Sequence, residues 1–425
     1  MITNLQAIVL AAGKSTRFQT GKTKLIEKLC GQPMILYPTR LLKDLAIPIT
    51  IVVGYQKDII IDMVHKYHGD TITFVPQTEQ LGTGHAILCT RNTWNAEHIL
   101  IMNGDMPLVT KHVIHQLWEK HQETNAAISF VTAHNSDTRS KAYGRVIETD
   151  DSVEIIEAKE FTGEWHEHCC VNAGIYIVKK SFLEAHTTDL EASDKTHEFY
   201  ITDLVRIASE NNETIATTRA SFDVIRGINT YQELWAAEQI KRSELIRHWM
   251  NNGVHFFAAQ NVHIDLDVTI GAGTFVCAGT HLLGATTIGE NCRIEAFTIV
   301  QDATLEDGAQ ILSHSVVCDA TLKNNTSVGP FAHVHKNSTI EHNAAIGNFV
   351  EVARSTVGAG TKAKHHTYLG DATIGEKTNI GAGTITCNYN GSSKEKTFIG
   401  DNCFIGTNNS IIAPITIGDN AYTAA

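Results

Sequence analysis

The C-terminal part of the chain carries a repeat of six residues. From Ile264 onward an aliphatic residue recurs at every sixth position, with occasional five-residue steps and one insertion, as far as Ile417. Gly or Ala often follows it, and Thr, Ser, Ala or Asn stands four positions after it, as in IGAGTF and IGAGTI. This period matches neither the ~3.6 residues of an α-helix nor the ~2 residues of a single strand. It is typical of a left-handed parallel β-helix of hexapeptide repeats, in which aliphatic side chains fill a triangular prism.

The repeat predicts which side chains face the interior of this β-helix, assigned to residues 253–425. Because Ala424 and Ala425 stand inside a repeat without a polar cap, we expect the β-helix to be truncated at its C-terminus. The predicted interior positions are Ile264, Ile270, Val276, Leu282, Ile288, Ile294, Ile299, Leu305, Ile311, Val317, Leu322, Val328, Val334, Ile340, Ile346, Val352, Val357, Ala363, Leu369, Ile374, Ile380, Ile399, Ile405, Ile411 and Ile417.

Residues 1–230 show a different pattern, in which short apolar runs alternate with helical periodicity. Candidate strands are residues 7–11, 50–54, 71–75, 99–103, 127–132 and 174–178, and candidate helices are residues 34–45, 59–67, 111–121 and 201–210. This alternation is typical of an α/β domain with a mainly parallel sheet, which binds ligands at the carboxyl ends of its strands. Residues 231–252 are predicted to form a long linker helix that ends at Gly253.

The composition excludes several classes of protein. The formal charge is −12, from 46 acidic residues against 34 Lys and Arg, which argues against a nucleic-acid partner. No apolar stretch approaches the ~20 residues of a membrane span, and the N-terminus lacks the pattern of a signal peptide. Nine scattered cysteines without a C-x-x-C pair indicate reduced thiols and a cytoplasmic protein. The 22 histidines show no zinc-type spacing.

The segment after the first strand, LAAGKSTRF from Leu10 to Phe18, has features of a phosphate-binding loop. Its small residues let the backbone approach a nucleotide, while Lys14 and Arg17 supply positive charge. It matches neither the P-loop nor the dinucleotide-binding pattern. By itself, the segment fits a tight turn between a strand and a helix equally well.

Three further segments lie at or near the carboxyl ends of predicted strands. They are TKL at residues 23–25, QTEQLGTGHA at 77–86 and NGDMP at 103–107. Asp105 is a candidate Mg2+ ligand, because a carboxylate at a strand end can share the ion with phosphates. Alone, an Asp at a strand end is more often a helix cap or a turn former.

Taken together, these motifs resemble a known family. L-A-A-G-K-x-T-R, Q-x-E-Q-L-G-T-G-H-A and G-D-x-P-L, followed by G-N-F-V-E, H-x-T-Y-L-G-D and N-I-G-A-G-T-I-T-C-N-Y, are similar to the bifunctional N-acetylglucosamine-1-phosphate uridyltransferase / glucosamine-1-phosphate acetyltransferase family. The resemblance extends from about residue 5 to the last residue. It implies an α/β nucleotidyltransferase domain with a Rossmann-like mixed sheet, followed by a left-handed parallel β-helix.

The resemblance implies the roles of residues in the first domain. In-line attack of a sugar phosphate on the α-phosphorus of UTP would need positioning and charge neutralisation more than covalent catalysis. Asn103 stands where the family commonly has Tyr, at the sugar-nucleotide wall beside Gly104. The implied groups are Leu10, Ala11, Ala12, Gly13, Gln77, Gly82 and Thr83 for uridine, Arg17 and Lys24 for the phosphates, Asp105 and Asn229 for Mg2+, and Gly144, Glu157 and Asn172 for N-acetylglucosamine.

In the β-helix, the resemblance makes His365 the base that accepts a proton from the amine of glucosamine 1-phosphate. Tyr368, Asn379, Asn388 and Tyr389 would line the sugar and coenzyme A cleft, with Ala382, Thr407 and Ala425 on the acetyl-CoA side. Three departures weaken this implication. His335 and Ala353 stand where the family usually has the Arg and Lys that hold the acceptor's phosphate, and the given sequence ends at Ala425, inside a repeat, before the last turns that help bind acetyl-CoA in the family. Arg354 is adjacent to Ala353, but we expect it to point the opposite way on an extended strand.

Three hypotheses therefore remain open from the sequence. The chain makes UDP-N-acetylglucosamine by both activities, or it is a uridylyltransferase whose acetyl site is lost or retuned to another acceptor. In the third, the β-helix is a non-catalytic trimerisation scaffold. The expected small-molecule partners are UTP, N-acetylglucosamine 1-phosphate, glucosamine 1-phosphate and acetyl-CoA. A homotrimer formed through the β-helix is also expected, because the family packs in this way with active sites between subunits.

Overall fold

The computed structural model describes residues 2–19, 21–135, 138–149, 152–164 and 168–425. The chain forms two compact units, Met1–Glu238 and Gln239–Ala425. The division falls inside the long helix Tyr231–Asn251, labelled α7 below. Gly253 has φ +84 and its N–H bonds to the carbonyl of Met250, as expected for a glycine that ends a helix. Among the described residues, no helix combines the length and apolarity needed to cross a membrane.

The N-terminal unit alternates strands with helices. Its strands are β1 (Leu5–Ala11), β2 (Lys28–Leu29), β3 (Gln32–Pro33), β4 (Ile49–Val53), β5 (Thr73–Pro76), β6 (His98–Asn103), β7 (Ile128–His134), β8 (Arg145–Glu148), β9 (Val153–Ile156), β10 (Cys170–Lys179) and β11 (Ile215–Ala220). Its helices are α1 (Leu36–Asp44), α2 (Lys57–His68), α3 (Thr83–Cys89), α4 (Lys111–Thr124), α5 (Lys180–His186) and α6 (Asp203–Glu210), and α7 begins in it.

The main sheet of this unit has the order β11-β7-β10-β6-β1-β4-β5. Strand β1 pairs in parallel with both β4 and β6, whereas β10 runs antiparallel to both β6 and β7. The sheet is therefore mixed, which confirms the predicted fold class. Buried side chains of β1 alternate between its two faces, with Val9 in one core cluster and Ile8 in the other. Because both faces are covered, the strand reads as a continuous apolar run.

The second unit is a stack of short parallel strands. Phe275 pairs with Arg293 in the next coil, and Arg293 pairs with Gln310 in the coil after that. Its strands are β12 (His255–Phe256), β13 (His263–Ile264), β14 (Thr269–Ile270), β15 (Phe275–Val276), β16 (His281–Leu283), β17 (Thr287–Ile288), β18 (Arg293–Ile294), β19 (Ile299–Gln301), β20 (Thr304–Leu305), β21 (Gln310–Ile311), β22 (Val316–Cys318), β23 (Ala320–Leu322), β24 (Ser327–Val328), β25 (His333–His335), β26 (Ser338–Ile340), β27 (Ala345–Ala353), β28 (Thr356–Val357), β29 (Lys362–Gly370), β30 (Ala372–Ile374), β31 (Asn379–Ile380), β32 (Ile385–Cys387), β33 (Thr397–Ile399), β34 (Phe404–Ile405), β35 (Ser410–Ile412) and β36 (Ile415–Ile417).

The aliphatic series fills the interior of this stack, as predicted, with one correction. Most of the predicted positions belong to a single buried cluster. At the first five-residue step, however, Ile299 is 36% exposed, while Val300 is fully buried. Val300 aligns with Leu282 in the coil before and with Val317 in the coil after. The shortened step thus lies between Val300 and Leu305, and the prediction for Ile299 was wrong by one residue.

The polar residues of the repeat also have a structural role. Thr274 is fully buried and donates a hydrogen bond from its hydroxyl to the carbonyl of Gly289, 2.9 Å away. The same hydroxyl oxygen accepts from the N–H of Cys292. A buried hydroxyl or backbone group without a partner would cost about 1–3 kcal/mol. The hydrogen bonds of Thr274 therefore stabilise the corner between two successive coils.

Candidate functional site

A cleft of about 920 Å³ opens in the N-terminal unit at the carboxyl ends of β1 and β6. Twelve of the residues predicted for the first site line this one cleft, although they come from distant parts of the sequence. They are Leu10, Ala11, Ala12, Gly13, Arg17, Lys24, Gln77, Gly82, Thr83, Asn103, Asp105 and Glu157. The lining also includes Lys14, which was predicted to supply positive charge, and Ser15, Gln80, Lys159, Glu198 and Tyr200, for which no role in binding was predicted.

A cluster of charged and amide side chains lies at one wall of the cleft. The ammonium of Lys24 pairs with Oδ2 of Asp105, and it is 2.6 Å from Oδ1 of Asn229. Arg17 donates to the same amide oxygen over 2.8 Å. Both partners of the Lys24–Asp105 pair are only 15% exposed, so water screens the pair weakly. The structure thus brings together four residues that the sequence placed at phosphates and metal.

The residues of this cluster fit a divalent cation. Oδ1 of Asp105 is buried and has no hydrogen-bond partner among the described residues. Its other oxygen and the amide oxygen of Asn229 both face a positive charge, the ammonium of Lys24. Carboxylate and amide oxygens are hard ligands of the kind that Mg2+ prefers. The site therefore offers two suitable ligands around a position where a cation is stabilised.

Asn229 is held in place by residues that the sequence analysis did not single out. Its backbone N–H donates to Oε2 of Glu233 over 2.7 Å, while the N–H of Glu233 donates to the hydroxyl of Thr230. This pattern is a variant of the capping box, and the residues T-Y-Q-E at the start of the long helix could have signalled it.

Tyr143 contacts the segment just before Asn229. Its hydroxyl accepts from the N–H of Gly227, and burial raises the pKa of Tyr143 to about 12.

The loop after β1 is tied to the same cluster through Ser15. The Ser15 hydroxyl accepts a hydrogen bond of 2.9 Å from the backbone N–H of Lys24. The carbonyl of Leu10 accepts from the N–H of Gly104, and a Cβ at Gly104 would lie 2.9 Å from Ile35 and 3.2 Å from that carbonyl. Gly104 is therefore required by the close approach of two strand ends. By contrast, a Cβ at Gly13 would meet nothing within 4 Å, so this residue borders open space.

Gln77, Gly82 and Thr83 form a second wall, on the loop that leads into α3. Gln77 is buried and donates from its amide to the carbonyl of Gly82 over 3.0 Å. Gly82 has φ +101, and a Cβ there would lie 2.4 Å from the carbonyl oxygen of Phe199. The hydroxyl of Thr83 accepts from the N–H of Ile201. The hydrogen bonds of Gln77 to Gly82 and of Ile201 to Thr83 therefore hold this wall in place.

The three residues predicted for the sugar lie close to one another. The backbone N–H of Asn172 donates to the carbonyl of Gly144, and a Cβ at Gly144 would lie 3.8 Å from Cα of Glu157. Glu157 accepts a hydrogen bond from Thr202, but burial raises the pKa of its carboxyl above the usual range. These groups can hydrogen-bond a ligand's hydroxyl and amide groups.

In the β-helix, His365 lies on a stack of residues along one corner. Its Nδ1 is 2.9 Å from Oδ1 of Asn348, the residue directly opposite it in the preceding coil. Nδ1 therefore donates, which leaves Nε2 able to accept a proton. Backbone hydrogen bonds continue the stack from His366 to Gly383 and from Ala382 to Asn408. Thr407 and Ala425 stand on the next two coils of the same corner, since Ala424 and Ala425 pack against Gly406.

A second group forms at the other end of the same strand, around Tyr368 and Asn388. The amide of Asn388 donates to Asp371 and to the Tyr368 hydroxyl. Arg354 joins them with two bonds of 2.7 Å to the carboxylate of Asp371. The prediction that Arg354 points away was wrong, because β27 ends at Ala353 and Arg354 has φ +53. The chain turns there, so the alternation of an extended strand no longer applies. Arg354 in turn lowers the pKa of Asp371.

The remaining predicted residues of the β-helix are Asn379 and Tyr389. Among the described residues, Asn379 has no side-chain hydrogen bond to His365 or Tyr368, and it lies in register between Lys362 and Phe404. Tyr389 is 62% exposed on the insertion and donates to the carbonyl of Gly391. Among the described residues, no side-chain hydrogen bond joins His365 to Tyr368, Asn379, Asn388 or Tyr389.

Fold and site together define a class of protein: a nucleotidyltransferase domain joined to a hexapeptide-repeat transferase domain. Residues 7–178 match the family described as MobA-like NTP transferase domain. Residues 267–302 match bacterial transferase hexapeptide repeats, and residues 396–425 match the hexapeptide repeat of succinyl-transferase.

Two similar relatives place the chain within this class. It is 37% identical to the bifunctional protein GlmU of Trichlorobacter lovleyi, over 99% of this chain and 92% of that protein. It is 36% identical to the bifunctional protein GlmU of Exiguobacterium sibiricum, over 99% of this chain and 93% of that protein. The chain belongs to the family of the bifunctional protein GlmU and is a transferase.

Proposed function

We propose that the N-terminal unit transfers UMP from UTP to N-acetylglucosamine 1-phosphate and releases pyrophosphate. The observation that carries this proposal is the cluster of Lys24, Asp105 and Asn229 at the wall of the cleft. It combines a fixed positive charge with oxygen ligands at the edge of the sheet where α/β domains bind nucleotides.

The chain's own groups would bind and orient the reactants. The backbone from Leu10 to Gly13, together with the wall of Gln77, Gly82 and Thr83, would hold the uridine. Gly144, Glu157 and Asn172 would hold the acetamido sugar. A phosphate oxygen of the sugar would attack the α-phosphorus as the bond to the β-phosphate oxygen breaks, so that pyrophosphate leaves.

Arg17 and Lys24 would neutralise the charge that builds up on the leaving pyrophosphate. Asp105 and Asn229 would hold Mg2+, which supplies further charge neutralisation at the phosphates when bound. The ammonium of Lys24 lies beside both of these oxygen ligands, so it would stand next to phosphates bound there.

A direct test measures pyrophosphate release from UTP and N-acetylglucosamine 1-phosphate. The Asp105→Ala variant should lose at least about a hundredfold in rate, in line with the loss of one key electrostatic group. Asp62→Ala, which removes an exposed carboxylate on α2, is the matched control and should match the wild type. An unchanged rate in Asp105→Ala would refute the assignment of this site.

We further propose that the β-helix acetylates glucosamine 1-phosphate with acetyl-CoA. Nε2 of His365 would accept a proton as the amine attacks the thioester carbon, and the C–S bond would break to release coenzyme A. Assembly into a homotrimer in the cytoplasm would bring the stack of His365, Ala382, Thr407 and Ala425 next to Tyr368, Asn379, Asn388 and Tyr389 of a neighbouring subunit. Because His365 makes no side-chain hydrogen bond to these four residues among those described, a neighbouring subunit could supply them.

A uridylyltransferase with a scaffold β-helix is the second candidate, because His335 and Ala353 provide no permanent positive charge. Release of coenzyme A in the presence of glucosamine 1-phosphate separates the two hypotheses. His365→Ala should abolish this release, and His366→Ala, an exposed neighbour, is the control. If the wild-type protein releases no coenzyme A above the blank, the scaffold hypothesis is favoured.

A further inference from the structure

Three side chains of a metal-binding type meet on the outer face of the β-helix. They are His333, His335 and Glu351, whose candidate ligand atoms all lie within 4.8 Å of one another. The two imidazoles stack with ring centroids 3.9 Å apart. Nε2 of His335 is 3.0 Å from Oε1 of Glu351.

The local structure explains why these residues converge. On a strand, residues two apart face the same side, so the sequence H-V-H places both imidazoles outward and Val334 inward. Val334 is fully buried in the prism. Strand β25 pairs in parallel with β27, and the register sets His333 directly opposite Glu351. His335 is opposite Ala353, whose methyl group leaves room beside the ring.

This ligand set selects a particular class of metal. Two imidazoles and a carboxylate are a typical zinc set, and three protein ligands leave one coordination position open. By contrast, the oxygen ligands of Asp105 and Asn229 suit the harder Mg2+. Ligand atoms around tetrahedral zinc lie about 3.4 Å apart, as follows from bonds of ~2.0–2.1 Å. The candidate ligand atoms lie within 4.8 Å of one another, so binding would require small rotations about the side-chain torsions.

The environment of the cluster is suited to capture a metal from solution. His333 is exposed and the side chain of Glu351 is 46% exposed, so an ion has access. His335, only 14% exposed, is held more firmly.

We propose that His333, His335 and Glu351 form a binding site for a divalent cation of the zinc class on the β-helix. Zinc-type patterns in a sequence are usually sought as paired Cys and His motifs, which this chain lacks. Here the third ligand comes from the adjacent coil, so only the strand register brings it to the pair. The proposal does not depend on either transfer activity.

The test is calorimetric titration of ZnCl2 into the full chain, after treatment with a chelator and in excess Mg2+ so that the Asp105 site is filled. We expect one Zn2+ per chain, bound with a Kd of the order of micromolar or tighter. His333→Ala and Glu351→Gln should each weaken binding by about tenfold or more, the size of effect seen for groups that tune metal sites.

His281→Ala is the matched control, because His281 also lies on a strand of the β-helix and stacks on another imidazole. The ring centroids of His281 and His263 are 4.4 Å apart. The His281→Ala protein should bind Zn2+ like the wild type. If this variant loses as much affinity as His333→Ala, or if no saturable binding occurs, the proposal is overturned and His335 and Glu351 form only a surface hydrogen bond.

Two further measurements separate a lost site from a damaged fold. Near 100 times the wild-type Kd, Zn2+ should raise the Tm of the wild type and of His281→Ala by about 2 °C or more, and raise that of Glu351→Gln by about half as much or less. Co2+ in place of Zn2+ should give the intense visible absorption of a tetrahedral site in the wild type. A weak octahedral spectrum would contradict the proposed ligand set.

Discussion

Oδ1 of Asn348 lies 2.9 Å from Nδ1 of His365, on the adjacent coil of the β-helix. The two residues are in direct register, so the backbone of both coils fixes their separation. As an acceptor, the amide oxygen holds the proton on Nδ1 and leaves Nε2 as the base. Asn348 is therefore a positioning residue for the proposed acetyl transfer.

Replacing Asn348 by Ala should slow coenzyme A release through kcat and leave pyrophosphate release unchanged. Loss of one hydrogen bond of about 1 kcal/mol predicts a fall of about fivefold, and more if the ring also rotates. Asn348→Asp, which retains the acceptor, should restore most of the rate and shift the pH profile upward, because a carboxylate stabilises the imidazolium. Equal loss in both variants would contradict this role.

The ion pair of Arg354 and Asp371 should make the stability of the β-helix depend on pH. Arg354 lowers the pKa of Asp371 in the folded protein, so the pair adds stability above the ordinary Asp pKa of ~3.9. That contribution is lost as the pH falls through the lower folded pKa. The urea midpoint of the β-helix transition, followed by circular dichroism, should therefore differ between wild type and Asp371→Asn at pH 7, and the difference should shrink progressively as the pH falls below the ordinary Asp pKa.

Arg354→Lys separates charge from geometry in the same experiment. A lysine retains the positive charge but cannot make two parallel hydrogen bonds to a carboxylate. We expect a urea midpoint between those of the wild type and Asp371→Asn at pH 7. A midpoint equal to the wild type would show that the paired geometry contributes nothing.

Gly82→Ala should destabilise the N-terminal unit and raise the KM for UTP. The substitution forces an L residue into φ +101 and places Cβ 2.4 Å from the carbonyl oxygen of Phe199. Strain of this kind costs about 1–3 kcal/mol. Gly418→Ala, in open space and without a positive φ, is the control and should leave thermal unfolding of both units unchanged. A Gly82→Ala protein with the wild-type Tm and KM would refute the argument.

Glu233→Gln should weaken the response of pyrophosphate release to Mg2+. The carboxylate accepts from the backbone N–H of Asn229, and a neutral amide is a weaker acceptor there. The Mg2+ concentration at half-maximal rate should rise about threefold to tenfold, with little change in the rate at saturation. Gln232→Ala, on the exposed side of the same helix turn, should leave the Mg2+ dependence unaltered. A fall in the saturated rate alone would contradict a positioning role.

Much of the fold could be predicted because its signals are local and periodic. The hexapeptide series predicted the interior residues of the β-helix, and the strand ends of the first domain were close to the observed ones. The error at Ile299 arose where two adjacent aliphatic residues compete for one interior position. Either residue satisfies the sequence pattern, and only pairing with Leu282 and Val317 selects Val300.

The sequence by itself determined the two architectures, since apolar periodicity depends on neighbours along the chain, and its resemblance to a known family predicted twelve of the residues that line the cleft. The tertiary structure alone decided how Lys24 contacts Asp105 and Asn229, because these residues are separated by many positions and meet only at the sheet edge. It also decided that Arg354 turns toward Asp371 and that His333 meets Glu351. The contact of Arg354 with Asp371 depends on the positive φ of Arg354, and that of His333 with Glu351 depends on the register between coils. No local sequence pattern predicts either contact.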